Sequence, residues 1–201
     1  GNLRSKSKEQ IIKEINNLIN EGHKEIILTG VDIASWNMEN QKETSLGILI
    51  EHILSEAPRL KRLRLSSMDV IGFDNKLIDL ITNNKRVLPH IHLSLQSGDN
   101  LILKRMKRRH LREDAIDLCS QLKRKRPEIS FGADLIVGFP TETEEMFQNT
   151  LDIIEECQLD WIHAFPFSPR PGTPAAKMPQ NDSKLIKLRS KILRDVAKQR
   201  K

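Results

Sequence analysis

Aromatic residues and cysteines, on which base-stacking surfaces and many metal sites depend, are scarce in this sequence of 201 residues. It has no tyrosine, six phenylalanines and two tryptophans, so an aromatic platform that stacks single-stranded bases is not expected. The two cysteines, Cys119 and Cys157, form no Cys-x-x-Cys pair, and no local metal motif is present. Each cysteine lies in an apolar helical stripe, which predicts two buried core thiols.

Long apolar runs are also missing, because charged residues interrupt every candidate for a membrane span. The first residues, Gly-Asn-Leu-Arg-Ser-Lys, contain neither a methionine nor the apolar stretch of a signal peptide. We therefore expect a cytoplasmic piece of a longer protein with no membrane partner, and we expect it to be a monomer. A content of 38% hydrophobic and 30% charged residues excludes a disordered or collagen-like chain.

The charge balance is mildly basic, with 33 lysines and arginines against 27 acidic residues and a net charge of +6. Such a balance favours a polyanionic partner, although many basic domains bind none. The cations are densest in Lys104–Arg112, which holds six of them in nine residues. This run follows a predicted strand directly, so a phosphate or carboxylate partner and a simply solvated helix end are about equally supported.

Short apolar strands alternate with amphipathic helices along the chain. Strands are predicted to begin near residues 25, 62, 91, 130 and 161, and Thr141 with Glu144 is predicted to cap one of the helices. This alternation predicts an α/β fold with parallel strands and helices outside them. Since Gly-x-Gly-x-x-Gly is absent and polar residues follow the strands, a partial (β/α) barrel is favoured over a dinucleotide-binding fold.

The barrel is predicted to occupy residues 1–179, followed by a basic helix over 180–201. Five strands are too few for an eight-stranded barrel. A helix precedes the first of them, so we expect that one strand lies upstream and that the complete barrel has six.

Polar residues at the strand ends are the candidate site. Gly30 and Asp32 follow the first strand, where a carboxylate accepts hydrogen bonds from an ammonium or hydroxyl group, and Ser67 follows the second. Taken alone, Gly30 and Asp32 are better explained as an ordinary strand-to-loop turn with a solvated carboxylate, and a serine or aspartate turn is the alternative for Ser67. Asp134 interrupts an otherwise apolar strand, which supports a functional site and a buried ion pair about equally.

The third strand alternates His90, His92, Ser94 and Gln96 with apolar residues, which predicts a polar face inside the barrel. Two histidines two residues apart are compatible with zinc, but no third ligand is close in sequence. Structural hydrogen bonding is therefore the favoured role for both histidines. Gln96, at the end of the strand, is the strongest ligand candidate of the four.

Five motifs together resemble the radical S-adenosylmethionine methylthiotransferases, in order and over nearly the whole chain. They are Leu28-Thr-Gly-Val-Asp-Ile33, His92-Leu-Ser-Leu-Gln-Ser-Gly98, Met106-Lys-Arg-Arg-His110, Asp134-Leu-Ile-Val-Gly-Phe-Pro-Thr-Glu-Thr143 and Phe167-Ser-Pro-Arg-Pro-Gly-Thr-Pro-Ala-Ala176. The first two motifs are most similar to the branch that modifies threonylcarbamoyladenosine in tRNA. The branch that modifies dimethylallyladenosine in tRNA is the alternative.

The resemblance implies a six-stranded partial barrel between a cluster-binding domain and a small RNA-binding domain, neither of which this sequence contains. It also implies S-adenosylmethionine and a [4Fe-4S] cluster as cofactors, tRNA as partner and an unidentified sulfur donor. The cluster cysteines of the family have no counterpart here, so no metal ligand is expected in this chain and the chain alone is expected to be inactive.

Site residues follow from the matched motifs. The resemblance assigns Gly30, Asp32 and Ser67 to the methionine ammonium end of the cofactor and Arg108 to its carboxylate. Gln96 and Asp134 are assigned to the nucleoside. The remaining cations of the basic run are expected to contact RNA: Lys104, Arg105, Lys107, Arg109 and Arg112.

Two other functions stay open on the residues alone. One is a cofactor-free barrel whose basic run binds RNA or a phosphorylated metabolite. The other is an interaction module without a ligand.

Overall fold

Strands and helices alternate from one end of the chain to the other in a computed structural model that describes residues 4–36 and 45–200. The helices of these ranges are α1 (Lys8–Asn20), α2 (Leu46–Glu56), α3 (Asn75–Asn83), α4 (Asn100–Arg105), α5 (Arg112–Lys125), α6 (Glu144–Glu156) and α7 (Ser183–Gln199). The strands are β1 (Glu25–Leu28), β2 (Arg62–Leu65), β3 (His90–Gln96), β4 (Ser130–Val137) and β5 (Leu159–Pro166). The predicted order of elements is confirmed.

The strands pair in parallel and in sequence order. β1 pairs with β2, while β3, β4 and β5 form a second group with β4 in the middle. Met68, just beyond β2, joins the two groups: its N–H donates to His92 O over 2.9 Å, and its carbonyl accepts from Ser94 N over 2.8 Å. The prediction of an α/β fold with parallel strands is therefore confirmed.

Alternation along β3 separates an apolar face from a polar one. Ile91, Leu93 and Leu95 are fully buried in the core with residues from the surrounding helices, whereas the alternate residues from His90 to Gln96 are only partly buried. Successive side chains of a strand point to opposite faces, so the apolar and the polar residues of β3 lie on separate faces. The predicted polar face is confirmed, and it carries the candidate site.

The prediction that Thr141 caps α6 is wrong. Thr143 is the N-cap, and its hydroxyl accepts a hydrogen bond from Met146 N over 3.3 Å. Thr141 instead has a left-handed backbone, with φ of 68°, and its hydroxyl accepts from Arg105 Nη1 over 2.5 Å. An N-cap needs extended backbone angles, which Thr143 has and Thr141 lacks.

Cys119 and Cys157 are free and buried, as predicted for core thiols. The contact with Cys157, together with burial, raises the pKa of the Cys119 thiol well above its usual value. A thiol that resists ionisation is a poor nucleophile and a poor metal ligand. Among the described residues, no helix is long and apolar enough to cross a bilayer.

Replacing Gly98 with alanine is expected to lower the free energy of unfolding by about 1–3 kcal/mol, because the added methyl group overpacks the turn after β3. A Cβ there would lie 2.2 Å from Asn149 O and 2.8 Å from Thr150 Cα, which are backbone atoms of α6 that cannot rotate away. Urea unfolding measures the loss. Gly172→Asn is the control, since that glycine has open space around it and a left-handed backbone that asparagine tolerates. Equal stability of the two variants would contradict the close approach.

Candidate cofactor-binding site

The carboxyl ends of β1, β2 and β3 place polar side chains at one end of the fold. Asp32 accepts a hydrogen bond from Ser35 Oγ over 2.6 Å and lies 3.9 Å from Arg109 Nη2. The hydroxyl oxygens of Ser67 and Ser94 are 2.7 Å apart. Parallel strands bring such residues together because their carboxyl ends share one edge.

Arg108 reaches this edge from the segment after α4. Its Nη2 donates to Ser94 O over 2.8 Å and lies 3.4 Å from Asp69 Oδ2. Arg109 Nη2 is also 3.4 Å from Asp69 Oδ2. The structure thus separates Arg108, which is held against the strand ends, from the exposed Arg109, and the roles of the two residues stay predictions.

Asp69 is the anion that holds this group together, and no site role was predicted for it. Its Oδ1 lies 3.4 Å from Nδ1 of the fully buried His110, at the long limit of hydrogen bonding, and neither atom has a closer partner. The contact with His110, followed by the Arg108 guanidinium and the hydrogen bond from Arg109, lowers the pKa of Asp69 to about 2. Asp69 is therefore ionised at neutral pH and offsets the guanidinium charges.

A cavity of about 370 Å³ opens beside Arg108, between the ends of β3 and β4 and the loop after β5. Gln96, Arg108, Ile136 and Phe139 contribute to its walls, and Thr173, Pro174 and Ala175 close one side. Gln96 and Lys107, which line it, have left-handed backbones with φ of 71° and 57°. Strained residues of this kind are concentrated at functional sites, where surrounding packing enforces them. The cavity combines an amide and a guanidinium with an apolar wall.

Asp134 lies deeper on the polar face, between two histidine rings. Its Oδ1 is 3.1 Å from His92 Nε2 and 3.1 Å from His163 Nδ1. The hydrogen bond from His92, followed by the charge of His92 and the bond from His163, lowers the pKa of Asp134 despite its partial burial. His90 binds Ser130 Oγ instead, over 2.8 Å. The structure therefore groups Asp134 with histidines and leaves Gln96 and Arg108 at the cavity.

Sequence reasoning missed His163, although one signal was available. Trp161, His163 and Phe165 alternate on β5, and the strand register places His163 opposite Asp134. The alternation alone identifies the face, but only the register between strands brings His163 to Asp134.

The basic run is divided by the fold. Lys104, Lys107 and Arg109 are exposed, and Lys104 and Arg109 line a second cavity of about 420 Å³. Arg105 donates to Thr141, and Arg112 forms an ion pair with Glu156 across α5 and α6. Contact with RNA stays a prediction for all five cations, and the three exposed ones are the most accessible.

Comparison with known proteins identifies the family of this chain. Residues 1–154 match the radical SAM superfamily. The threonylcarbamoyladenosine tRNA methylthiotransferase MtaB of Rickettsia prowazekii (strain Madrid E) is 48% identical over 184 residues, which are 92% of this chain and 44% of that protein. The tRNA-2-methylthio-N(6)-dimethylallyladenosine synthase of Staphylococcus haemolyticus is 38% identical over 90% of this chain and 35% of its own length.

The fold is shared with more distant proteins. The crystal structure of Streptococcus suis SuiB bound to S-adenosylmethionine matches all of this chain and 43% of its own, with a TM-score of 0.64 at 12% identity. The predicted TIM-like barrel architecture is thus confirmed. The chain spans less than half the length of these relatives. On the match over residues 1–154 together with this fold, the chain belongs to the radical SAM superfamily.

Proposed function

We propose that this chain is the S-adenosylmethionine-binding barrel of a tRNA methylthiotransferase that adds a 2-methylthio group to threonylcarbamoyladenosine next to the anticodon. The observation that carries the proposal is the 48% identity, over 92% of the chain, to a relative named for that reaction. Dimethylallyladenosine in tRNA is the alternative substrate, since a relative named for that reaction is 38% identical.

The cavity at the ends of β3 and β4 fits S-adenosylmethionine. A volume of about 370 Å³ lies within the range of pockets for small ligands. The Arg108 guanidinium suits the methionine carboxylate, the Gln96 amide suits the nucleoside, and Ile136 and Phe139 offer an apolar wall for the adenine ring. Gly30, Asp32 and Ser67, on the neighbouring strand ends, would hold the ammonium end. The bound cofactor supplies the radical chemistry, while the chain orients it and excludes water.

An iron–sulfur cluster does not fit the residues of this chain. Such clusters are held by cysteine thiolates, and Cys119 and Cys157 are buried on α5 and at the end of α6 rather than at the carboxyl ends of the strands. We therefore place the cluster ligands outside these 201 residues. The first 179 residues form the barrel in this proposal, and the basic α7 region follows it.

The exposed cations beside the cavity support tRNA as the partner. Lys104, Lys107 and Arg109 lie on the same side as Gln96 and Arg108, so phosphate contacts there would hold the tRNA close to the cofactor. A cytoplasmic monomer is consistent with this role, and the sulfur donor is left unassigned.

Mass spectrometry of tRNA nucleosides tests the substrate. The complete protein containing this chain is reconstituted anaerobically with iron and sulfide and supplied with S-adenosylmethionine and tRNA. We expect a methylthio group on threonylcarbamoyladenosine. Modification of dimethylallyladenosine alone would establish the alternative, and tRNA binding without S-adenosylmethionine binding would indicate the cofactor-free barrel.

Gln96→Asn tests the cavity in the same protein. Asparagine tolerates the left-handed backbone but shortens the side chain, so we expect S-adenosylmethionine affinity to fall by roughly fivefold, equivalent to one hydrogen bond of about 1 kcal/mol. Gln148→Ala, on the exposed surface of α6, is the matched control. Equal affinity of the two variants in equilibrium dialysis would contradict the assignment of Gln96.

A further inference from the structure

Three adjacent strands bring two imidazoles and a carboxylate to one point of the polar face. His92 from β3, Asp134 from β4 and His163 from β5 form this group, which we call the His–Asp–His cluster. Both ring nitrogens lie 3.1 Å from the same oxygen, Asp134 Oδ1. The three ligand atoms lie within 4.8 Å of one another. Strands hold their side chains more precisely than loops do, so the arrangement is built into the sheet.

Two of the three separations between ligand atoms are close to those of a tetrahedral zinc site. Zinc binds imidazole nitrogen and carboxylate oxygen at about 2.0–2.2 Å, which places two ligand atoms of a tetrahedron about 3.3 Å apart. Both nitrogen–oxygen distances in the cluster are 3.1 Å. The two rings have centroids 5.0 Å apart and are tilted by 38°, and a nitrogen of each ring contacts the same carboxylate oxygen.

The neighbouring strand is shaped to accommodate the His92 ring. Gly132 of β4 is opposite His92, and a Cβ at that position would lie 2.6 Å from His92 Nδ1. Any other residue would therefore displace the ring. Exposure of the side chains rises from 17% for His92 through 26% for Asp134 to 63% for His163, which leaves an open approach from the barrel interior.

The charge around Asp134 differs from that around Asp69 and Glu142. Asp69 is paired with two arginines and Glu142 with Arg189. In the described part of the chain, the partners of Asp134 are the two histidines, and no lysine or arginine forms an ion pair with it. A carboxylate with two imidazoles and no fixed cation is a donor set for a divalent metal ion.

We propose that the His–Asp–His cluster binds one Zn²⁺ through His92 Nε2, Asp134 Oδ1 and His163 Nδ1. The fourth position faces the barrel interior and takes water or an oxygen of a bound ligand, as three-ligand zinc sites do. This role replaces the sequence-based assignment of Asp134 to the nucleoside. It is separate from the iron–sulfur cluster of the proposed function, and it does not depend on that function. Mg²⁺ is a poor candidate, since it prefers oxygen ligands.

Calorimetric titration of the purified 201-residue chain with Zn²⁺, without S-adenosylmethionine or tRNA, tests the site. We expect one Zn²⁺ per chain and no binding of Mg²⁺. His163→Ala removes a ligand from an exposed position, so its effect on folding is small. Removing a residue that only hydrogen-bonds a metal ligand costs about 10–100-fold in metal affinity. Removing a ligand itself should lower the affinity by more than this. Asp134→Asn, which keeps the shape of the side chain, should weaken binding similarly.

His23→Ala is the matched control, because His23 is equally exposed and lies 3.9 Å from Glu21 Oε2. Its Zn²⁺ affinity should equal that of the wild-type chain. Equal affinity of the wild type, His163→Ala and His23→Ala would show that zinc does not bind at the His–Asp–His cluster and would overturn the proposal. Absence of zinc binding by the wild-type chain would overturn it as well, whatever the outcome of the methylthiotransferase assay.

Discussion

Arg189→Ala is expected to lower the free energy of unfolding by about 3–5 kcal/mol, the largest effect of any single substitution considered for this chain. Arg189 Nη1 donates to Glu142 Oε1 over 2.8 Å and to Glu142 O over 3.0 Å. The side chains of Arg189 and Glu142 are 4% and 0% exposed. Alanine would leave the Glu142 carboxylate buried without its cation, and chemical denaturation measures the cost.

The pH dependence of this loss follows from Glu142. Burial raises the pKa of Glu142, and Arg189 opposes that rise. Without Arg189 the native pKa rises further above the unfolded value. The native state then binds a proton that the unfolded state releases, so stability falls as the pH rises through the native pKa. We therefore expect the destabilisation of Arg189→Ala to be smaller at about pH 5 than at about pH 8.

Two further variants test whether the loss of stability comes from the buried Arg189–Glu142 pair or from any substitution in α7. Arg194→Ala removes a charge from an exposed position of the same helix and should change stability by less than about 0.5 kcal/mol. The double variant Arg189→Met, Glu142→Leu removes both charges and should recover most of the loss. If Arg189→Ala is no less stable than Arg194→Ala, Arg189 does not anchor α7 to the turn after β4.

Asp69→Asn is expected to lower the free energy of unfolding at neutral pH by about 2–3 kcal/mol, because a partly buried pair costs somewhat less to break than a fully buried one. The carboxylate is the shared anion of Arg108 and Arg109 and contacts the buried His110. Asparagine keeps the shape but removes the charge, so the guanidinium groups lose their partner. Thermal and urea unfolding measure the change.

Acid titration provides a second measurement on Asp69. The pKa of this carboxyl is about 2 in the native state, below its ordinary value of 3.8. The stability that the ionised Asp69 contributes is fully present above the pKa that this carboxyl has in the unfolded chain. It is lost as the pH falls from about 4 to about 2. The wild type should lose this stability over that range, and Asp69→Asn should not. Asp117→Asn, exposed on α5, should follow the wild type at every pH; similar acid profiles for all three proteins would contradict the role of Asp69.

Much of the architecture was predictable because its signals are local. The capping box of Ser7 and Gln10 starts α1, and Asp74 and Asp99 cap α3 and α4 as their positions in the sequence indicate. Each of these caps involves residues no more than three positions apart, so local spacing contains the information. The cap of α6 was misassigned because the choice between Thr141 and Thr143 depends on backbone angles that the neighbouring turn imposes.

The contacts of the candidate site join residues that are far apart in the sequence. Arg108 lies near Asp69, 39 positions earlier in the chain, and this separation is closed only when Met68, just beyond β2, pairs with β3. The local sequence shows a basic run, and only the family resemblance assigned Arg108 a role different from that of the other cations. The fold directs Arg108 to the strand ends, Arg112 to Glu156, and Lys104 and Lys107 to the surface.

The sequence by itself determined the alternation of strands and helices, the buried cysteines and the polar face of β3, since each depends on residues close together in the chain. Only the tertiary structure decided which polar residues meet. His92, Asp134 and His163 come from three strands, and the register of β4 against its neighbours selects them from other residues of the same face. A strand's alternation defines its faces, but register depends on packing between distant segments, and no short stretch of sequence contains that information.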